Sequence, residues 1–313
     1  MKPATAAAAA ITLLISCSNT NAVSTAAAPD TTAAAIQELQ LPAVPPTLVT
    51  PADRAAYIVA HFWDNMDFAD TLRSHDTNFI EQNFANFASL FPLVDADTTL
   101  VPAAAALMKR AEADRAAYNL LAETADKYLY DPNSPMLDEA SYIPFLRAIT
   151  GSTFIEPALR ARYEAQLADA TKNLPGTVAA DFTIALRDGS ATTLHRLCRG
   201  ARAVILMFYD PDCENCTHLI SQMKSDPALS AAVASSKVKI VAIYPDGEAD
   251  LFAAGAGKIP AEWTDGMSPD GEIVESELYS IRATPTLYLI DKTARVVMKD
   301  ADAAASVAAA LGM

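Results

Sequence analysis

The stretch Ala203 to His218, AVILMFYDPDCENCTH, decides how the chain is read. It opens as an apolar run rich in β-branched and aromatic residues and stops at Asp210-Pro211, the pattern of a buried strand ending in a loop. Cys213 and Cys216 follow at once, and Leu219, Ile220 and Met223 then recur at helical spacing. The cysteine pair therefore sits where a strand hands over to a helix. At a helix start the first N–H groups lack intrahelical partners and the dipole is positive, which favours a thiolate. With two residues between them the sulfurs can close a small ring, so one thiol can attack a foreign disulfide and the other resolve the mixed species. An inert local disulfide or half of a zinc site would use the same spacing. Zinc ribbons need a second such pair, however, and this chain has none.

A second stretch, Ile281 to Asp291 (IRATPTLYLID), puts Pro285 at the mouth of another apolar strand, a place where cis X-Pro bonds are found. With both stretches in hand, the chain resembles the thioredoxin superfamily, specifically the envelope disulfide reductases of the TlpA and ResA type. Their pattern is a strand, C-x-x-C at a helix start, and later a Thr-Pro or Val-Pro ahead of a strand. The resemblance covers roughly Gly176 to Met313 and implies an α/β thioredoxin-like fold, a mixed sheet with flanking helices and an N-terminal hairpin. Helix position and resemblance together make Cys213 the exposed nucleophile and Cys216, one turn in, the buried resolver. The resemblance further implies a cis Thr284-Pro285 bond, with Thr284 and Pro285 pairing to an extended substrate segment. The implied partners are protein disulfides or thiols and an envelope electron donor, and no cofactor is implied. Many relatives carry Trp before the first cysteine and Pro before the second; Asp212 and Asn215 stand there in this chain.

Asp210, Asp212 and Glu214 flank Cys213, and carboxylates oppose a nearby thiolate. They are expected to tune the site by cancelling part of the helix-end effect, raising the Cys213 pKa relative to a site with neutral neighbours, which shifts the couple toward disulfide and makes the dithiol a better reductant. Side chains pointing to solvent would instead be screened. His218 completes a C-x-x-C-x-H string, but two residues past Cys216 on a helix it faces another direction, so no metal site is assigned. The competing function is a non-enzymatic metal-binding or scaffold lipoprotein, against which Thr284-Pro285 speaks. A peroxidase of the same fold would need Thr-x-x-Cys, and Asp210 occupies that place.

At 313 residues the chain has room for about two domains. A formal charge of −15 argues against nucleic acid or anionic lipid as a partner, because those need basic stripes. Residues 1–16, with Lys2 followed by an alanine-rich apolar run, are too short to span a membrane and fit a secretory signal. Leu14-Ile-Ser-Cys17 resembles a bacterial lipobox, which implies lipidation of Cys17 and anchoring in the cell envelope, at the periplasm-facing side of the outer membrane. Export implies an oxidising compartment, where thiols are paired or kept reduced by a partner. Cys198, in LHRLCRG, then reads as a small buried apolar side chain.

Residues 17–50, rich in Ala, Thr, Ser and Pro, read as a flexible tether. Residues 51–173 read as an all-helical domain. One helix opens at Pro51, a second is capped by Asp76 and carries the stripe Phe79, Ile80, Phe84, Phe87 and Phe91, and a third zone over 107–130 has a turn near Asp114. Ser141 to Ile149 and Pro157 to Lys172 complete the set. Tyr57 to Asp64 and Lys127 to Met136 resemble an uncharacterised helical domain that precedes thioredoxin-like domains in envelope lipoproteins, which implies no activity and leaves a docking or spacer role. In the final domain, 174–313, a hairpin turns at Asp188-Gly189, Lys237 to Tyr244 is a buried strand, and Arg295 to Lys299 pairs with Thr286 to Ile290 at an edge.

Overall fold

The computed structural model describes residues 38–313, so the expected signal peptide, Cys17 and most of the tether lie outside the described residues. The described residues, 38–313, belong to one compact unit. Its first part is helical: α1 (Pro51–His61), α2 (Thr71–Ser74), α3 (Thr77–Ala88), α4 (Val101–Ala111), α5 (Arg115–Leu129), α6 (Glu139–Gly151) and α7 (Pro157–Ala170). Short polar caps start most of these helices. Thr50 accepts from Asp53 N, Asp76 from Asn78 N and Phe79 N, Asp114 from Ala117 N, and Asp138 from Ser141 N. Each caps backbone donors that the helix cannot pair internally. The phenylalanine stripe faces inward: Phe84 and Phe87 are fully buried, and Phe84 meets Phe145 of α6 at 5.5 Å between ring centroids. Helix α6 begins two residues earlier and ends two later than its apolar run predicts, because Asp138 caps it and Gly151 still continues it.

The second part is built on β1 (Thr183–Leu186), β2 (Ala191–Thr193), α8 (Leu194–Cys198), β3 (Ala203–Phe208), α9 (Glu214–Lys224), α10 (Pro227–Ala234), β4 (Val238–Tyr244), α11 (Ala249–Ala254), β5 (Thr264–Met267), α12 (Glu272–Glu275), β6 (Thr286–Asp291), β7 (Val296–Lys299) and α13 (Ala303–Gly312). The seven strands form one thioredoxin-like mixed sheet in the order β2-β1-β5-β4-β3-β6-β7. Strand β4 lies parallel to β3 and β5, and the other pairs are antiparallel.

All six residues of β3 are buried, as a central strand covered on both faces requires. Their alternation sorts the core. Ile205 and Met207 join Cys216, Ile220, Met223 and Val307 on one face, while Val204, Leu206 and Phe208 join Cys198, Phe182 and Tyr279 on the other. Cys198 is thus on the opposite side of the sheet from the cysteine pair.

The two parts are knitted together across residues 173–180. Asn173 Nδ2 donates to the Leu278 carbonyl at 2.8 Å, its Oδ1 accepts from Ala180 N at 2.8 Å, and Gly176 N donates to Val296 O at 2.7 Å. Among the described residues no helix is long and apolar enough to cross a membrane.

Candidate active site

Register brings the two motifs together. Phe208, the last residue of β3, lies opposite Thr286, the first of β6, so the loop leaving β3 and the loop entering β6 open at the same end of the sheet. Cys213 is the N-cap of α9: its sulfur accepts from Cys216 N at 3.1 Å, satisfying one of the orphan donors of the helix start. On its other side Cys213 Sγ lies 3.4 Å from the Thr284 carbonyl, across 71 residues of sequence. The Thr284-Pro285 peptide is cis, and Thr286 Oγ1 closes the turn by donating to Ala283 O at 2.6 Å. Cys213 is half-buried and Cys216 is 1% exposed.

The two thiols are set apart in acidity by these surroundings. Burial pushes Cys213 up, but hydrogen bonds from the Cys216 side chain and backbone and from the Thr284 side chain outweigh it, and the thiol titrates below its ordinary range. Cys216 is pushed up to about 12, first by burial and then by its hydrogen bond to, and charge repulsion from, Cys213. Cys198, the fully buried last residue of α8, is pushed up to about 11 by burial and by Asp181 and Asp291. None of the three is in a disulfide.

The carboxylates of the collar are not among the largest causes acting on Cys213. Asp210 turns back to accept from Asp212 N at 2.6 Å, and Asp212 lies 3.3 Å from Lys258 Nζ, which also donates to the Pro211 carbonyl at 2.5 Å. Glu214 sits exposed in the first turn of α9. The net shift of the thiol is therefore downward, set by hydrogen bonds rather than by the collar. The field of Asp210 falls instead on Tyr244 and Asp246, both of which burial already pushes up. Lys258 has no signal in the sequence as a neighbour of this loop. It arrives because the loop after α11 packs on the Asp-Pro-Asp turn, where a Cβ on Gly255 would lie 3.0 Å from Pro211 Cβ.

His218 Nε2 faces Gln222 Nε2 at 2.9 Å on the outer side of α9. His61 and His75 lie at the surface beside Asp64 and Asp114, both at 2.7 Å. No group of three or more His, Cys, Asp or Glu side chains among the described residues is placed to hold a metal ion.

Residues 16–173 match the family described as Domain of unknown function (DUF5106), and residues 198–301 match the Thioredoxin-like domain. A thioredoxin-like protein from Bacteroides caccae, solved by crystallography, is 35% identical with a TM-score of 0.83, over 88% of this chain and 98% of that one. The C-terminal domain of an uncharacterized protein from Bacteroides fragilis is 34% identical over 46% of this chain and all of its own, with a TM-score of 0.43. The thioredoxin domain of a thiol-disulfide oxidoreductase from Bacteroides vulgatus is 17% identical over 44% of this chain and 94% of its own, with a TM-score of 0.38. No curated protein matches the chain.

Proposed function

The chain belongs to the thioredoxin-like proteins that carry an N-terminal DUF5106 domain, and from that premise we propose that it is a thiol-disulfide oxidoreductase working as a disulfide reductase on envelope proteins. The observation that carries this reading is the placement of Cys213 Sγ between the Cys216 N–H and the Thr284 carbonyl, with Cys216 buried one turn behind it.

In the proposed cycle the Cys213 thiolate attacks one sulfur of a substrate disulfide. The substrate S–S bond breaks, a Cys213–substrate disulfide forms, and the departing substrate sulfur takes up a proton. The Cys216 thiol then gives up its proton and attacks Cys213 Sγ, which releases the second substrate sulfur as a thiol. The substrate has gained two electrons and two protons, and the chain is left with a Cys213–Cys216 disulfide. A dithiol donor of the envelope returns it to the dithiol state. In this cycle Thr284, whose carbonyl lies beside Cys213 Sγ, pairs its backbone with an extended substrate segment.

Turnover of a protein disulfide such as that of insulin tests the reading. Cys213→Ser should abolish it and Cys198→Ser, on the far face of the sheet, should leave most of it; equal loss from both would refute the assignment. Direction is tested separately: equilibration with glutathione that puts the couple near the roughly −120 mV of strong dithiol oxidants would reverse it. We place this activity at an envelope membrane through lipidation of Cys17. Stable anchoring takes two lipid signals, as in dual acylation. Cys17→Ala should accordingly move the protein to the soluble fraction, and retention in membranes would refute the anchor.

A further inference from the structure

The segment that meets the nucleophile is gripped from the helical half. Ser280 Oγ donates to Asp169 Oδ2 at 2.5 Å, near the end of α7, and Tyr130 OH donates to the same oxygen at 3.2 Å. Arg282 donates through Nη1 to the Tyr130 carbonyl at the end of α5, and its guanidinium carbon lies 4.3 Å from the centre of the Tyr130 ring. Through Nη2 it reaches Asp300 at 2.7 Å and Glu139 of α6 at 3.4 Å. Glu139 in turn meets Lys299 Nζ at 2.5 Å. Arg282 is 13% exposed, so these contacts are largely out of water. Two residues after it comes Thr284, whose carbonyl touches Cys213 Sγ.

We propose that the helical half is a positioning clamp for the substrate-pairing segment, in which Tyr130, Glu139 and Asp169 hold Ser280 and Arg282 and thereby fix where Thr284 lies beside Cys213. The proposal rests on the thiol-exchange reading above. Two residues of extended chain span only about 7 Å, so a shift of Arg282 is carried to Thr284 with little slack. A planar guanidinium can hold a carbonyl and a carboxylate at once and stack on a ring, which an ammonium cannot reproduce. Arg282 touches neither thiol in this arrangement and acts through Thr284, as a positioning residue.

The test uses the whole chain and three forms: Arg282→Met, Arg282→Lys, and the charge-balanced pair Glu139→Met with Lys299→Met, which removes one arm of the clamp without touching the segment itself. Three readouts are taken: kcat and KM for a peptide disulfide, the pH dependence of Cys213 alkylation, and thermal unfolding. Since a misplacement of about 1 Å can cost about 100-fold, Arg282→Met should lose about 10- to 100-fold in kcat/KM and shift the alkylation midpoint away from that of the parent as Thr284 withdraws. Arg282→Lys should recover only part of this, and the pair variant should lose activity while unfolding no more easily than the parent. A merely structural contact would lower the unfolding temperature and leave the alkylation midpoint in place, which would overturn the clamp. If Arg282→Met does not fold, the pair variant decides: parent-like kcat/KM and midpoint overturn the clamp. A parent chain that exchanges no disulfide would overturn both the reading and the clamp, whereas an active parent matched by its variants overturns the clamp alone.

Discussion

Removing the carboxylate of Glu139 should be among the more damaging single changes outside the thiol site. Glu139 and Lys299 are 7% and 5% exposed, and with Arg282 and Asp300 they form a neutral group of two anions and two cations. Neither carboxylate oxygen of Glu139 has an aligned hydrogen bond, so Lys299 is a close ion contact only. Burial pushes the Glu139 carboxyl up, and Lys299 and then Arg282 pull it back without restoring its ordinary range.

Breaking a buried pair by deleting one partner costs about 3–5 kcal/mol, mostly through the charge left behind. Lys299 would still donate to the Ala170 carbonyl at 2.7 Å, at the negative end of α7, which argues for the lower end, about 3 kcal/mol, for Glu139→Gln. Glu139→Met with Lys299→Met removes both charges together and should be neutral or more stable by about 1–4 kcal/mol. Urea unfolding followed through Trp63 in the helical half and Trp263 beside the sheet reports both halves in one experiment. A cost below about 1 kcal/mol for Glu139→Gln, together with a double variant worse than either single one, would show that the pair does not compensate charge.

Two further outcomes follow from the thiols. At neutral pH, iodoacetamide should modify Cys213 and spare Cys198 and Cys216, and peptide mapping that finds Cys198 modified in the folded protein would contradict its burial. The reduced protein should keep the full contribution of Cys198 and Cys216 to stability below the ordinary cysteine pKa of about 8.5 and lose it as pH rises toward about 11 and about 12, because the unfolded chain releases those two protons first; urea midpoints that rise over that range would refute this sign. Thr284→Val should raise the Cys213 alkylation midpoint, since it removes a hydrogen bond that favours the thiolate, whereas Asp212→Asn should leave it nearly in place; the reverse pattern would restore the collar.

What the sequence revealed was what depends on short-range pattern. The β3 run, the Asp76 cap, the turn near Asp114, and the handover from strand to helix at Cys213 each need only a few neighbouring residues. Strand β5, Thr264–Met267, was missed. It is four residues long, it reads TDGM, and within it only Gly266 is buried, so no alternation marks it. It exists because β4 offers a parallel partner and β1 closes over it, with so little room that a Cβ on Gly266 would come within 2.4 Å of Ile184. Helix α8 was likewise hidden behind the hairpin that precedes it. At the site, Lys258 and Arg282 were illegible for the same reason: charged side chains are ordinarily solvated, and nothing local says that one will reach the Pro211 carbonyl and the other Tyr130. The reach of the collar turns on the same limit. Proximity in sequence gave three carboxylates beside a thiol, while the fold turned one toward a backbone N–H and another toward a lysine.

The asymmetry of the two thiols also bears on how one cycle could follow another. Burial comes first among the causes that hold Cys216 up at about 12, but the next is its hydrogen bond with Cys213, and the Cys213 charge adds to it. A Cys213 sulfur bonded to substrate carries no charge and is a poorer acceptor, so in the mixed disulfide both contributions from Cys213 are removed and only the burial of Cys216 remains to oppose its ionisation. The same step frees the Cys216 N–H, now without an anionic partner, at the positive end of α9. Forming the mixed disulfide thus makes its own resolution easier. In the proposed cycle the thiol held protonated in the resting state is thus the one whose acidity rises once Cys213 has reacted, with burial alone left to oppose its ionisation.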